Sequence, residues 1–203
     1  MNTQKHTKKN FRRVLLFLLI LLLSGCANQE EPQKKELPSP SPSPVATETP
    51  KPANETVGQA STKIFDNIPE RNQNLALAIK AINGKVLNPG EEFSFNQTVG
   101  SRTAEKGYKE AIGYDENGEK VPTIGGGVCQ ISSTLYMAAK SGDFEILERH
   151  SHSHEVPYAD SQNDVTVSYG GYDFKFKNNR DKPVIIQLST DNANVFATLT
   201  LTP

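Results

Sequence analysis

The chain has 203 residues, with 22 Lys+Arg against 23 Asp+Glu, 13 prolines, two cysteines and no tryptophan. This length accommodates one ordinary domain with appended segments. Near-neutral charge without a basic stripe argues against nucleic acid as a partner.

The first 25 residues have the three parts of a secretory signal. Lys5, Lys8, Lys9, Arg12 and Arg13 form a basic start, and an unbroken apolar run follows from Val14 to Leu23. Such a run is short for a stable membrane span. It ends in Leu23-Ser24-Gly25-Cys26, which closely resembles the lipobox of bacterial lipoproteins. That resemblance implies lipidation of Cys26 and cleavage before it, with an uncleaved single span as the alternative. The expected location is the extracytoplasmic face of the cell membrane, with the lipid at Cys26 as the attachment. Without this segment the chain keeps 17 bases against 23 acids, a net charge of about −6. An anionic wall would not attract it by net charge, so any wall binding has to be local and specific.

Residues 26–61 read as a spacer. They hold seven of the 13 prolines, including Pro38-Ser-Pro-Ser-Pro-Ser-Pro44, and few large apolar residues. A stretch with nothing to bury stays extended and solvated.

The folded domain is expected over residues 62–203. Leu75, Ala76, Ile79 and Ile82 recur at helical spacing over about Glu70–Ile82, with Asn83-Gly84 as a stop. A turn at Asn88-Pro-Gly-Glu91 leads into a short strand through Phe93 and Phe95. The polar stretch to Pro122 suits a loop, or a hairpin turning at Glu116-Asn-Gly118. After Gly125-Gly-Gly127 a second helix is expected over about Ile131–Ser141. Strands then follow at Ile146–Arg149, Val165–Tyr169, Tyr172–Lys177, Val184–Leu188 and Val195–Leu201. Early helices with late antiparallel strands define an α+β fold in one domain.

Several of these segments together resemble the VanW family of bacterial envelope proteins. The matching stretches are Arg71-Asn-Gln-Asn-Leu75, Leu87-Asn-Pro-Gly-Glu-Glu-Phe-Ser-Phe-Asn96, Gly125-Gly-Gly-Val-Cys-Gln-Ile-Ser-Ser-Thr-Leu-Tyr136 and Glu148-Arg-His-Ser-His-Ser-His154. The family takes its name from glycopeptide-resistance gene clusters. The resemblance implies an envelope role, and no particular reaction comes with it.

Lipidation of Cys26 would leave Cys129 as the one thiol, without an intramolecular disulfide partner. A cysteine between three glycines and a helix start sits where amide dipoles favour the thiolate. Papain-like and transglutaminase-like enzymes share this order: nucleophile on a helix start, base on a later strand, then an orienting group. On that template His152 or His154 is the base, Asp173 the orienter and Gln130 an oxyanion donor. The site would serve acyl transfer or amide cleavage on peptidoglycan or a wall-associated polypeptide, without a cofactor. Two other readings stand beside it. Cys129 packs as a small hydrophobe in a non-catalytic wall-binding or scaffold module. Alternatively His150, His152 and His154, alternating on one strand face, hold zinc together with Cys129. Three imidazoles spread over about 13 Å of strand need a bend to converge. Arg102 and Arg149 are candidates to pair with a carboxylate-bearing ligand such as a peptide stem.

Overall fold

The computed structural model describes residues 54–115, 117–191 and 193–203. The leader, Cys26 and most of the proline-rich segment lie outside these residues. All described residues fall in one compact unit.

Elements run in the order β1 (Glu55–Lys63), α1 (Pro69–Ile82), β2 (Val86–Leu87), β3 (Glu92–Ser94) and α2 (Phe95–Val99). The hairpin β4 (Glu110–Tyr114) and β5 (Lys120–Ile124) precedes α3 (Val128–Ser141), and β6 (Glu145–Glu148), β7 (Lys175–Lys177), β8 (Val184–Thr190) and β9 (Asn194–Leu201) complete the set. A four-stranded sheet in the order β1-β9-β8-β2 carries α3 against β1 and β9 and α1 against β8. A second sheet has the order β3-β7-β6. All pairs are antiparallel, so the expected α+β class and mainly antiparallel sheet are what forms.

Alternation explains the large sheet. In β9, Val195, Ala197 and Leu199 point inward and are at most 1% exposed, as are Val184 and Ile186 of β8. Phe93 and Phe176 of the small sheet, with Phe174 just before β7, are fully buried, with ring centroids 5.2–6.3 Å apart. Aromatic pairs at this spacing add to plain area burial.

Four expectations change. Residues 55–61 are strand rather than spacer: β1 pairs along β9 from Glu55↔Leu201 to Lys63↔Asn194. It is built from small and polar residues because it lies close under α3. A Cβ on Gly58 would stand 2.4 Å from the Ala138 carbonyl oxygen. Helix α3 begins three residues early, which places Cys129 in its first turn. Phe95 opens α2 instead of extending the strand, because the Ser94 hydroxyl accepts from the Gln97 N–H and caps the helix.

The fourth change positions the site. Residues 164–168 join no ladder. Side chains of α3 hold them instead: the Val165 N–H donates to the Ser133 hydroxyl at 2.7 Å, and the Ser132 hydroxyl donates to the Val165 carbonyl at 2.8 Å. The Thr166 N–H donates to the His150 carbonyl at 2.8 Å. Residues 149–154 are likewise loop, not strand.

Candidate active site

Gly125-Gly-Gly127 turns the chain from β5 into α3. Gly127 is the residue before the helix and has φ 102°, a conformation open to glycine. Gly126 lies against the hairpin, where a Cβ would meet the Ala111 carbonyl oxygen at 2.4 Å. Asn74 of α1 fixes the turn by donating to the Gly126 and Lys109 carbonyls and accepting from the Lys109 N–H, all at 2.8–3.0 Å.

Cys129 is half-buried on this helix start and faces the 164–168 segment, its thiol 3.7 Å from the Val167 carbonyl oxygen. His152 lines the same cavity beside it. Burial pushes the Cys129 thiol up, but the His152 bond and charge, the Val167 contact and the Arg102 charge together bring it below its ordinary 9.0. For His152, burial favours the neutral ring. The hydrogen bonds and charges of Cys129 and then Asp164 outweigh that and raise it above 6.5. Opposite shifts on neighbouring partners favour a thiolate–imidazolium pair.

The carboxylate bonded to His152 is Asp164. Its Oδ2 stands 2.8 Å from His152 Nδ1 and accepts the His152 backbone N–H at 2.6 Å. Its Oδ1 accepts from Arg149 at 3.1 Å, and its side chain is 2% exposed. Arg149 also donates to the Asp164 and Ser161 carbonyls, so its role is internal support rather than ligand binding.

Asp173, expected as the orienter, belongs elsewhere. It accepts from the Ser94 hydroxyl and from the Asn96 and Phe174 N–H groups, which fix α2 against the small sheet. Gln130, expected as an oxyanion donor, is fully buried and spent: its amide donates to Thr62 and the Lys63 carbonyl, and its oxygen accepts from Arg71. His154 stacks on Tyr114 with centroids 4.3 Å apart, and its ring lies 5.7 Å from that of His152. His150 pairs with Glu148 at 3.0 Å and stacks on Tyr172 at 4.5 Å. The three imidazoles therefore do not converge, since the loop replaces strand alternation. Among the described residues no group of three His, Cys, Asp or Glu is arranged to hold a metal ion.

A cavity of about 360 Å³ opens over Cys129, with His152, Tyr158, Arg71 and Arg102 in its wall. Burial pushes the Tyr158 phenol well up, and the Cys129 charge adds to this. Arg71 was missed as a site residue. Its place near the start of α1 reads as a solvated helix turn, yet it is 2% exposed beneath Phe65. Nothing in the local pattern marks it, because its burial depends on the distant glycine turn.

The domain thus defines a class by its layout: an α+β fold with a cysteine at a helix start and a histidine–aspartate pair beside it. The chain belongs to the VanW family, whose model, described as VanW like protein, matches residues 70–200. It is 41% identical over 143 residues to the protein titled Uncharacterized protein YoaR from Bacillus subtilis, covering 70% of this chain and 47% of that one. It is 33% identical over 138 residues to Vancomycin B-type resistance protein VanW from Enterococcus faecalis, covering 64% of this chain and 50% of that one. The chain therefore spans about half the length of the curated relatives it matches. No solved structure matches it.

Proposed function

We propose that this protein is a lipid-anchored envelope enzyme that uses Cys129 for acyl transfer or amide hydrolysis on peptidoglycan or a wall-associated polypeptide. The observation that carries the chemistry is the Cys129–His152–Asp164 arrangement at a helix start, open to a cavity. The leader and lipobox-like residues before Cys26 support the envelope address.

The Cys129 thiolate attacks the amide carbonyl and a C–S bond forms. The carbonyl oxygen gains negative charge beside the first N–H groups of α3, which lack intrahelical acceptors. The Val128 and Gln130 N–H groups are bound to the Gly125 and Gly127 carbonyls. This leaves the Cys129 N–H as the donor nearest the reacting atom. The C–N bond then breaks as imidazolium His152 gives its proton to the leaving amine. Water or a second amine next attacks the thioester, His152 takes its proton, and the thiolate is released. Asp164 holds His152 through Nδ1 in both steps.

Full-length chain in detergent, incubated with a peptidoglycan digest, is expected to yield an acyl adduct on the Cys129 peptide by mass spectrometry, absent in Cys129→Ala. Iodoacetamide labelling of the same peptide is expected to begin well below pH 9. A thiol inert across the whole pH range overturns the nucleophile and favours a non-catalytic binding module.

A further inference from the structure

The Cys129 cavity has two guanidinium groups in its wall, and neither forms an ion pair among the described residues. Arg71 donates one bond to the Gln130 side-chain oxygen at 2.9 Å, while its buried Nε has no partner. Its guanidinium lies against Gly127, two residues before the thiol: a Cβ there would meet Nη1 at 3.0 Å and Cζ at 3.1 Å. Arg102 donates to the Asn96 side-chain oxygen at 2.7 Å and to the Gly100 and Val167 carbonyls at 3.0 and 3.2 Å. Val167 offers the same carbonyl to the Cys129 thiol. Each cation is thus tied to a group that itself adjoins Cys129, and every one of these acceptors is uncharged.

Burying a cation without an anion is costly, and removing such a group from water disfavours its charged form. Burial does lower the proton affinity of both arginines. The Cys129 thiolate acts on both through space, Asp66 on Arg71 and Asp173 on Arg102 likewise, and none of these anions forms an ion pair with either arginine. Guanidinium with an unfilled donor face is suited to a planar carboxylate, which it holds with two parallel bonds.

From these contacts we infer that the cavity selects a carboxylate-bearing peptide, with Arg71 and Arg102 holding a carboxylate about one residue from the amide that Cys129 attacks. This rests on the nucleophile reading above and names its substrate class. A carboxylate in this position comes either from a peptide C-terminus or from an acidic side chain. Both present the same planar anion to the arginines.

The test compares iodoacetate with iodoacetamide at Cys129 in the full-length chain, each rate divided by that for N-acetylcysteine. The anionic reagent is expected to be favoured by about tenfold, one bidentate contact's worth. Arg102→Gln removes a charge that also lowers the Cys129 thiol, so both reagents should slow, and the ratio of iodoacetate to iodoacetamide should fall to that of N-acetylcysteine. A ratio equal to that of N-acetylcysteine overturns the inference even when the thiolate is reactive. Protection from iodoacetamide by N-acetylglycine or by succinamate separates the two carboxylate sources, and N-acetylglycinamide should give none. Equal protection by acid and amide also overturns it. Should Cys129 be inert to both reagents, the nucleophile reading fails on its own. The carboxylate site is then decided by saturation-transfer NMR, where transfer to N-acetylglycine but not its amide upholds it and equal transfer overturns it.

Discussion

Replacing Asp164 with Asn changes charge while keeping shape, and it isolates what the carboxylate contributes to Cys129. In the native chain Oδ2 holds His152 through both the ring and the backbone, at 2.8 and 2.6 Å, from a position 2% exposed. A hydrogen bond to a charged group contributes about 1.5–3 kcal/mol, and one pKa unit corresponds to about 1.4 kcal/mol. Loss of the carboxylate should therefore lower the His152 ring and, through it, raise the Cys129 thiol. The direction follows from the native shifts. His152 lies above 6.5, so its contribution is complete below that value and lost as pH rises through the raised one. Cys129 lies below 9.0, so its contribution is complete above that value and lost as pH falls through the lowered one. Iodoacetamide rates at Cys129, read peptide by peptide from pH 5 to 10, should show the acid limb moving upward. The rate near neutral pH should fall about 10- to 100-fold, and the alkaline plateau should remain. Circular dichroism establishes that the variant is folded, because Asp164 also anchors Arg149. A folded Asp164→Asn chain with an unmoved acid limb would refute the relay.

His154→Ala should leave the Cys129 rate within about threefold of the native value, since this ring stacks on Tyr114 and has no bond to the thiol; a loss as large as that of His152→Ala would move the base to His154. Gly126→Ala forces a Cβ to 2.4 Å from the Ala111 backbone and should destabilise the fold by about 2–3 kcal/mol, read as a lowered denaturant midpoint. Lys175 bonds Glu148 at 2.7 Å and, ahead of His150 and the Asp173 N–H, holds that carboxyl at about 2. Stability from Glu148 is then complete above 4.5 and lost as pH falls through about 2. Lys175→Ala should move the Glu148 titration toward 4.5 by carboxyl NMR, and an unchanged midpoint would assign the shift to His150.

The residues of the candidate site were readable in the sequence where the signal is local. Cys129 stands out through the glycines before it and the helix after it, and His152 through its cluster. The aspartate was not readable from order alone. Both Asp164 and Asp173 follow the histidines, and reading 165–169 as a strand hides the contact that decides between them. That contact exists because Ser132 and Ser133 bind the Val165 backbone, a helix-to-loop pairing without sequence periodicity. Gln130 was misassigned for a related reason. Adjacency to a nucleophile suggests an oxyanion donor, while its helix position turns it inward to Thr62 and Arg71. Strand β1 escaped notice because Glu55-Thr-Val-Gly-Gln-Ala-Ser-Thr-Lys63 has one large apolar residue, and its stability comes from β9 and α3 instead.

The pairing of β1 with β9 also determines how the domain can be joined to other polypeptide. Glu55 lies opposite Leu201, so entry and exit of the fold sit side by side, about one strand spacing apart. A module whose two ends meet can be inserted into a longer chain without stretching or rerouting what flanks it. In this chain the same geometry makes an unzipping joint: tension along the residues before Glu55 would peel β1 from β9 one pair at a time. The glycine turn before Cys129 is fixed by α1 and the β4–β5 hairpin, but Gln130 beside it bonds Thr62 and Lys63 of β1, so peeling that far would reach the site's helix.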